Sequence, residues 1–247
     1  MFELSIAGPV ARLRLMRPER RNAIPLAGWT ELGDRAEEAA AGGAAVLILG
    51  GVPGGAFCSG ADISGFDAFV EDAGARTAFR LAIRSGLDRL RASIPSIAMV
   101  EGACYGAGVA VAMACDVRFA GPGAEFAITP AKLGISYPQE DVHRLVSLVG
   151  AGQAARLLLG AQSIDGAEAA RIGLVERFAA EGLEEEVDAA AAAIAANDAA
   201  SLATLKRGIA RAAEGVAHDE EQGRRFDDLL GSEALTARLE AHRTRRR

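Results

Sequence analysis

The chain has 247 residues, of which 50% are hydrophobic and 24% charged, and its formal net charge at pH 7 is −6. This length and apolar content allow one large domain, or a domain with a small appendage, that needs no disulfide or metal to fold. The negative charge argues against a nucleic-acid partner, and the apolar runs are much too short to cross a membrane, so we expect neither kind of partner.

The first three quarters of the sequence alternate between strand and helix patterns. Residues 2–6 and 10–15 alternate apolar and polar side chains around Gly8 and Pro9, which predicts a β-hairpin. The elements predicted after it are a helix over 26–40, a buried strand over 44–49, a helix over 79–90, a buried strand over 97–100, a packed helix over 109–114 and strands over 117–120 and 125–128. This repeated alternation predicts an α/β fold.

The composition changes near residue 183 to an alanine-rich, entirely helical pattern. Two helices with thin apolar stripes are followed by a third around Phe226, and Ser232 stands where it would cap a fourth. Helices with such thin stripes need a partner surface, which is either their own core or a neighbouring subunit. We therefore predict a core over 1–182 and a helical oligomerisation region over 183–247.

Two tight turns of small residues follow predicted strands: residues 60–62 (GAD) and residues 106–108 (GAG). Small side chains let a ligand approach the backbone, and a turn that opens a helix leaves its N–H groups without partners. Two such N–H groups aimed at one point would form an oxyanion hole, which stabilises a developing negative oxygen by several kcal/mol. The alternative, which spacing alone leaves open, is that both turns only permit close packing.

Other kinds of site have little support in the sequence. The turn at Gly106 lacks the later small residue of a dinucleotide-binding loop, because Val111 stands in its place. There is no Walker motif, nucleophile elbow or paired-histidine metal motif. The three cysteines and three histidines have no metal-ligand spacing, and no signal-peptide pattern is visible. We therefore expect no metal site and a reduced, cytoplasmic protein.

Three segments of the chain resemble a known family. They are residues 17–23 (RPERRNA), 56–63 (AFCSGADI) and 102–116 (GACYGAGVAVAMACD), and shorter matches follow at 133–134, 144–145 and 167–175. Their order and spacing are similar to those of the crotonase superfamily, the enoyl-CoA hydratase/isomerase family, over essentially the whole chain. The resemblance implies a spiral of ββα units followed by a helical trimerisation region, assembled as a homo-trimer or as a hexamer made of two trimers.

The resemblance also implies a substrate and a binding site. The substrate would be an acyl-CoA thioester whose carbonyl oxygen lies between the backbone N–H groups of Ala61 and Ala107, with no cofactor other than the substrate's own coenzyme A. The further positions that match the family's substrate-binding residues are Arg20, Arg21, Ala23, Gly60, Asp62, Ile63 and Gly106. The arginine pair would meet CoA phosphate groups, although a solvated pair is the alternative.

The chain departs from the hydratases of this family at two positions. Those enzymes have glutamates at the positions of Ala110 and Pro130. Hydration needs one carboxylate to activate water and another to transfer a proton, and neither alanine nor proline can do so. We therefore predict a CoA-thioester lyase or isomerase with different acid/base groups, rather than a simple hydratase.

Replacement acid/base groups are available in residues 136–143 (SYPQEDVH), which match the segment at the acyl end of the family's pocket. The candidates are Tyr137, Glu140 and Asp141, with His143 as a weaker one. The alternative for Tyr137 is that it only forms part of the pocket wall. The alternative for the two carboxylates is that they lie in the first turn of a helix after Pro138, where negative charge is favoured for structural reasons.

Three alternatives to this function remain open from the sequence. The pattern around Pro130 and Tyr137 is similar to that of methylmalonyl-CoA decarboxylases, although those enzymes carry a histidine where this chain has Ala61. A non-catalytic acyl-CoA-binding protein and an oligomeric scaffold are the other two.

Overall fold

The computed structural model describes residues 1–245, and its strands form two sheets. The strands are β1 (Phe2–Ala7), β2 (Val10–Leu15), β3 (Val46–Gly50), β4 (Ser96–Val100), β5 (Ala103–Tyr105), β6 (Val117–Ala120), β7 (Glu125–Ala127), β8 (Ile164–Asp165) and β9 (Arg177–Phe178). The larger sheet has the order β1-β2-β3-β4-β6-β9, and the smaller one has the order β5-β7-β8. Only the β1–β2 hairpin is antiparallel in the larger sheet, as predicted, whereas β8 runs antiparallel to β7 in the smaller one.

Helices connect most of the parallel strands and then continue alone to the end of the described chain. They are α1 (Leu26–Ala41), α2 (Asp67–Glu71), α3 (Ala73–Ala92), α4 (Ala107–Ala114), α5 (Gln139–Gly160), α6 (Gly166–Arg171), α7 (Leu183–Ala195), α8 (Ala199–Ala213), α9 (Glu220–Leu230) and α10 (Glu233–Arg245). The predicted α/β class and the helical C-terminal region are confirmed. The predicted cap of the last helix is also present, because the N–H of Leu235 donates to the Ser232 hydroxyl at 3.2 Å. None of the helices in residues 1–245 is both long enough and apolar enough to span a bilayer.

Two elements at the centre of the core position the functional region. Strand β3 is buried along its whole length, as expected for a strand covered on both faces. Helix α4 is buried from Gly108 to Ala114. A Cβ atom added at Gly108 would overlap the carbonyl oxygen of Cys58, so α4 presses directly on the loop that carries Cys58. This close approach brings the start of α4 beside the turn at residues 60–62.

The described residues divide into two compact units, and the division falls within α7. The first unit is Met1–Ala192, and the second begins at Ala193 and contains α8, α9 and α10. From the sequence, the division was placed earlier, at residue 183, where α7 begins. In the second unit, Asp219 joins two helices because its carboxylate caps α9 and accepts hydrogen bonds from Arg207 and Arg211 on α8.

Candidate active site

The two small-residue turns predicted from the sequence lie against each other. Gly60 has a positive φ of 99°, and a Cβ atom added to it would lie 2.8 Å from the carbonyl oxygen of Tyr105 and 3.0 Å from the nitrogen of Ala107. An isolated β-bridge between Cys58 and Cys104 joins the segments that lead into the turns. The peptide groups of Ala61 and Ala107 are therefore held close together by backbone contacts.

The N–H groups of Ala61 and Ala107 are left without partners by the hydrogen bonds around them. The N–H of Ile24 donates to the carbonyl of Gly60 at 2.8 Å, and the carbonyl of Ile24 accepts from the N–H of Asp62 at 2.9 Å. This parallel β-bridge makes no hydrogen bond to the N–H of Ala61, which lies between Gly60 and Asp62. Ala107 is the first residue of α4, where an N–H has no acceptor within the helix. Within residues 1–245, neither N–H donates a hydrogen bond.

Both turns open into one cavity of about 340 Å³. Its walls are mostly apolar and include Ile63, Phe66, Phe79, Ile83, Leu133 and Ile135. Phe66 and Phe79 make an edge-to-face contact with ring centroids 5.3 Å apart, which stabilises the wall formed by α3 and the turn before α2. The cavity suits an apolar group whose polar end reaches the two turns.

The cavity contains most of the site residues predicted from the sequence but not all of them. Those that line it are Gly60, Ala61, Ile63, Gly106, Ala107, Tyr137 and Asp141, and those that do not are Arg20, Arg21, Ala23, Asp62 and Glu140. Glu140 points instead to Arg84, with 3.3 Å between its Oε1 and Nη1 of the arginine. His143 is exposed and does not line the cavity either.

The loop containing Arg20, Arg21 and Ala23 lies beside the first turn, outside the cavity. Arg21 accepts a hydrogen bond from the N–H of Ser59 at 2.9 Å, and the side chains of both arginines are exposed. The residue between Arg21 and Ala23 is Asn22, which is fully buried with a positive φ of 57° and donates to the carbonyl of Ala56 at 2.7 Å. Asn22 lies inside the motif of residues 17–23, but its burial and its hydrogen bond cannot be predicted from the spacing of that motif.

The side chain of Asp62 stabilises the first turn, residues 60–62, through hydrogen bonds to neighbouring residues. Its carboxylate accepts from the N–H of Ser64 at 3.1 Å and from Nη1 of Arg17 at 3.1 Å. The hydrogen bonds from Ser64, followed by those from Arg17, lower the pKa of Asp62 below its usual value. Asp62 is therefore ionised at neutral pH, and its carboxylate binds the Ser64 N–H and the Arg17 side chain. Arg17 is the first residue of the motif at 17–23, but its ion pair with Asp62 cannot be predicted from the spacing of the two motifs in the sequence.

Among the acid/base candidates, Asp141 is the one carboxylic acid residue that lines the cavity. It lies in the first turn of α5 and is only 3% exposed. Burial raises its pKa to about 6, while the guanidinium of Arg144, 3.2 Å away, opposes this shift. Among the residues that line the cavity, Asp141 is the only carboxylate and Arg80 is the only cation.

Tyr137 lies in the same wall as Asp141 and donates its hydroxyl hydrogen to the carbonyl of Gly106 at 3.0 Å. Burial raises the pKa of Tyr137 well above its usual range, so the phenol is neutral. Ala110 is buried within α4, and Pro130 begins a 3₁₀ turn that borders the cavity. In residues 1–245, no cluster of histidine, cysteine, aspartate or glutamate side chains is arranged to hold a metal ion.

Comparisons with known proteins agree with this fold over nearly the whole chain. The family model described as enoyl-CoA hydratase/isomerase matches residues 5–235. A Mycobacterium tuberculosis protein named "Probable enoyl-CoA hydratase echA6" is 35% identical over 178 residues, which are 72% of this chain and 70% of that protein.

Solved structures give the same result. An enoyl-CoA hydratase/isomerase family protein from Hyphomonas neptunium is 35% identical, with a TM-score of 0.93, and the match covers 99% of this chain and 95% of that one. A Thermobifida fusca protein, described as an enoyl-CoA hydratase and solved in complex with CoA, is 32% identical with a TM-score of 0.78, over 98% and 94% of the two chains. The predicted crotonase-type fold is confirmed, and the chain belongs to the enoyl-CoA hydratase/isomerase family of the crotonase superfamily.

Proposed function

We propose that this protein is an acyl-CoA isomerase or lyase that stabilises a thioester enolate between the N–H groups of Ala61 and Ala107. The observation that carries the proposal is the pair of unbonded N–H groups in the wall of one apolar cavity. The thioester oxygen becomes negative as an enolate forms, and each donor aimed at such an oxygen contributes roughly 3–4 kcal/mol. Coenzyme A takes part only as a portion of the substrate, and no other cofactor or metal is proposed.

The exposed arginines beside the first turn support binding of the CoA portion. Arg20 and Arg21 carry positive charge next to the cavity in a chain whose net charge is negative. Guanidinium groups bind phosphate oxygens in pairs of parallel hydrogen bonds. The Thermobifida fusca relative in complex with CoA is consistent with this role.

We assign the proton transfer to Asp141. This buried residue lines the cavity, and its pKa of about 6, raised by burial, leaves it mostly ionised at neutral pH and able to accept an α-proton. With alanine at position 110 and proline at position 130, the cavity offers one carboxylate where a hydratase uses two. Moving a proton on the acyl group needs only one such group.

Exchange of α-hydrogens with solvent tests this function without knowledge of the natural acyl group. Butyryl-CoA incubated with the protein in D₂O should gain deuterium, detected by mass spectrometry, because an enolate must form and be reprotonated. Asp141→Asn should slow the exchange by about 10²–10⁴-fold. Glu140→Gln is the matched control, since this neighbouring carboxylate faces Arg84 outside the cavity, and it should leave the rate unchanged at about pH 8, where Asp141 is ionised with or without the charge of Glu140.

The pH dependence of the exchange adds a second criterion. The rate in the wild-type protein should fall as the pH drops below about 6, because protonated Asp141 cannot accept a proton. Equal rates for the wild type and Asp141→Asn would overturn the assignment. Binding of butyryl-CoA without any exchange would identify a non-catalytic acyl-CoA-binding protein, and failure to bind it at all would favour a scaffold.

Decarboxylation is a second candidate function, favoured by Arg80. This arginine lines the cavity, and its side chain has no hydrogen bond or ion pair within the described part of the chain. A carboxylate on the acyl group would give Arg80 an ion-pair partner. Loss of CO₂ from a malonyl-type thioester leaves the same enolate as removal of an α-proton. CO₂ release from malonyl-CoA or methylmalonyl-CoA that Arg80→Met lowers, and Arg84→Met does not, would establish this candidate.

A further inference from the structure

The carbonyl of Gly106 and the N–H of Ala107 belong to one peptide group. A trans peptide is planar, so its C=O and N–H point in opposite directions and turn together. The groups that hold the Gly106 oxygen therefore set the direction of the Ala107 N–H. That oxygen accepts from the N–H of Val109 at 3.0 Å and from the hydroxyl of Tyr137 at 3.0 Å, and as the N-cap carbonyl of α4 it also accepts the first bond of the helix.

The other restraints on this peptide come from the backbone, and Tyr137 makes the only side-chain hydrogen bond to it within residues 1–245. Gly106 has φ 52° and ψ −120°, a conformation that residues with a side chain rarely adopt. A Cβ atom added to it would meet a single neighbour within 4 Å, the hydroxyl oxygen of Thr129 at 3.9 Å. The nitrogen end of this peptide packs against Gly60, and its carbonyl end is held by hydrogen bonds.

We propose that Tyr137 is a positioning residue that orients the peptide between Gly106 and Ala107, so that the Ala107 N–H points at the thioester oxygen. The inference rests on the proposed function of the two N–H groups and gives Tyr137 a role other than acid or base. Its hydroxyl hydrogen is already donated to the Gly106 oxygen, so it is not free for the substrate. The same hydrogen bond polarises the peptide and makes the Ala107 N–H a stronger donor.

The position of Tyr137 in the chain suits this role. Its ring packs against the hydrophobic core, and Pro138 follows immediately as the residue before α5. The hydroxyl is therefore presented by an anchored ring rather than by a mobile side chain. Phenylalanine at this position would keep the ring and its packing and would remove only the hydrogen bond.

The carbonyl stretch of a bound thioester reports directly on the hydrogen bonds that its oxygen accepts. Infrared difference spectra of butyryl-CoA labelled with ¹³C at the carbonyl should show a shift to lower wavenumber on binding to the wild-type protein. Tyr137→Phe should reduce this shift. It should also weaken binding of butyryl-CoA by about three- to tenfold, the range expected for one net hydrogen bond. Binding of an S-butyl thioether of CoA, which lacks the oxygen, should not change.

The chain supplies its own control, because it contains only one other tyrosine. Tyr105 does not line the cavity, and Glu125 beside it helps burial to raise the pKa of its hydroxyl. Tyr105→Phe should keep the full infrared shift. If Tyr137→Phe does not fold, incorporation of difluorotyrosine into Tyr105→Phe alters position 137 alone, and this stronger donor should increase the shift.

The possible outcomes separate the inference from the function on which it rests. A wild-type shift that stays the same in Tyr137→Phe, or with difluorotyrosine, overturns the positioning role and leaves the two N–H donors intact. No shift in the wild-type protein overturns the proposed site itself. Equal weakening of thioester and thioether binding assigns Tyr137 to the wall of the cavity and also overturns the inference.

Discussion

At the scale of single residues, we expect positions 110 and 130 to limit the proton transfers that this site can perform. Ala110 is buried inside α4, and Pro130 borders the cavity with a ring that neither accepts nor donates a proton. Addition of water to a double bond requires a group that takes a proton from the water and a group that delivers one to carbon. Asp141 is a single carboxylate and carries one proton at a time.

We therefore predict negligible hydration of crotonyl-CoA by the purified protein. Each missing general acid or base removes about 10²–10⁴-fold of rate, so mainly the contribution of the two N–H donors remains. The measurement is the loss of enoyl absorbance, with an authentic hydratase assayed in parallel. Ala110→Glu should restore little activity, because position 130 still lacks its partner. A turnover number within about tenfold of the ordinary range of 1–10³ s⁻¹ would refute the prediction.

At the scale of elements, α1 and α3 pack so closely that their backbones nearly touch. Gly86 on α3 is buried, and a Cβ atom added there would overlap the carbonyl oxygen of Trp29 on α1. Trp29 itself is fully buried, so α1 cannot move aside without disturbing the core. Helix α3 also supplies Phe79, Arg80 and Ile83 to the cavity, which links the packing of these helices to the shape of the site.

Gly86→Ala should lower the free energy of unfolding by about 1–3 kcal/mol, because the added methyl group forces the two helices apart. Gly152→Ala is the matched control, since Gly152 is an exposed residue of α5 with no atom within 4 Å of an added Cβ. That change should raise the free energy of unfolding by about 0.5–1 kcal/mol, because alanine favours helix. Denaturant unfolding of both variants gives the comparison, and equal stability of the two would contradict it.

The elements with a regular pattern could be predicted from the sequence, and those without one could not. The β1–β2 hairpin, β3, β4 and α1 follow clear apolar periods and were correctly predicted. Only the start of α5 was expected, because Gly150 interrupts it with φ 76° and its buried positions do not form one stripe. The short α2 has no buried residue and therefore no apolar signal.

The candidate site also has some features that could be predicted from the sequence and others that could not. The turns containing Ala61 and Ala107 could be located because small residues mark them in the sequence. The bonds made by the side chains could not be predicted. The burial of Asp141, its separation from Glu140 and the hydrogen bond from Tyr137 to Gly106 all depend on how α5 packs, and spacing does not report that packing.

At the scale of the whole molecule, the second unit lacks a core of its own. Helix α9 has no buried residue, and α8 buries only Thr204. Large apolar side chains on these helices are exposed, with Ile209 at 71% and Phe226 at 60%. An open cavity of about 790 Å³ lies among α8, α9 and α10. Such apolar surfaces are typical of protein that is covered in an assembly.

We propose that the protein assembles as a homo-trimer or a hexamer through these helices. Light scattering at micromolar concentration should give a mass of three or six chains. Phe226→Glu should shift the population towards single chains, because it places a charge on a covered apolar surface. Val70→Glu, at an exposed apolar residue of α2, is the control and should leave the mass unchanged. A wild-type mass of one chain would contradict the proposal.

The contact between Gly60 and the nitrogen of Ala107 has a consequence for how such proteins diversify. Because the two turns contact each other through the backbone, the main chain sets most of the distance between their N–H groups, and Tyr137 is the one lining side chain that we propose orients the Ala107 N–H. If the two N–H groups bind an anion as we propose, substitutions at positions 110, 130 or 141 would change the proton-transfer groups and leave the two turns in place. An engineered variant could therefore keep the two turns, residues 60–62 and 106–108, and change the residues of the surrounding cavity wall.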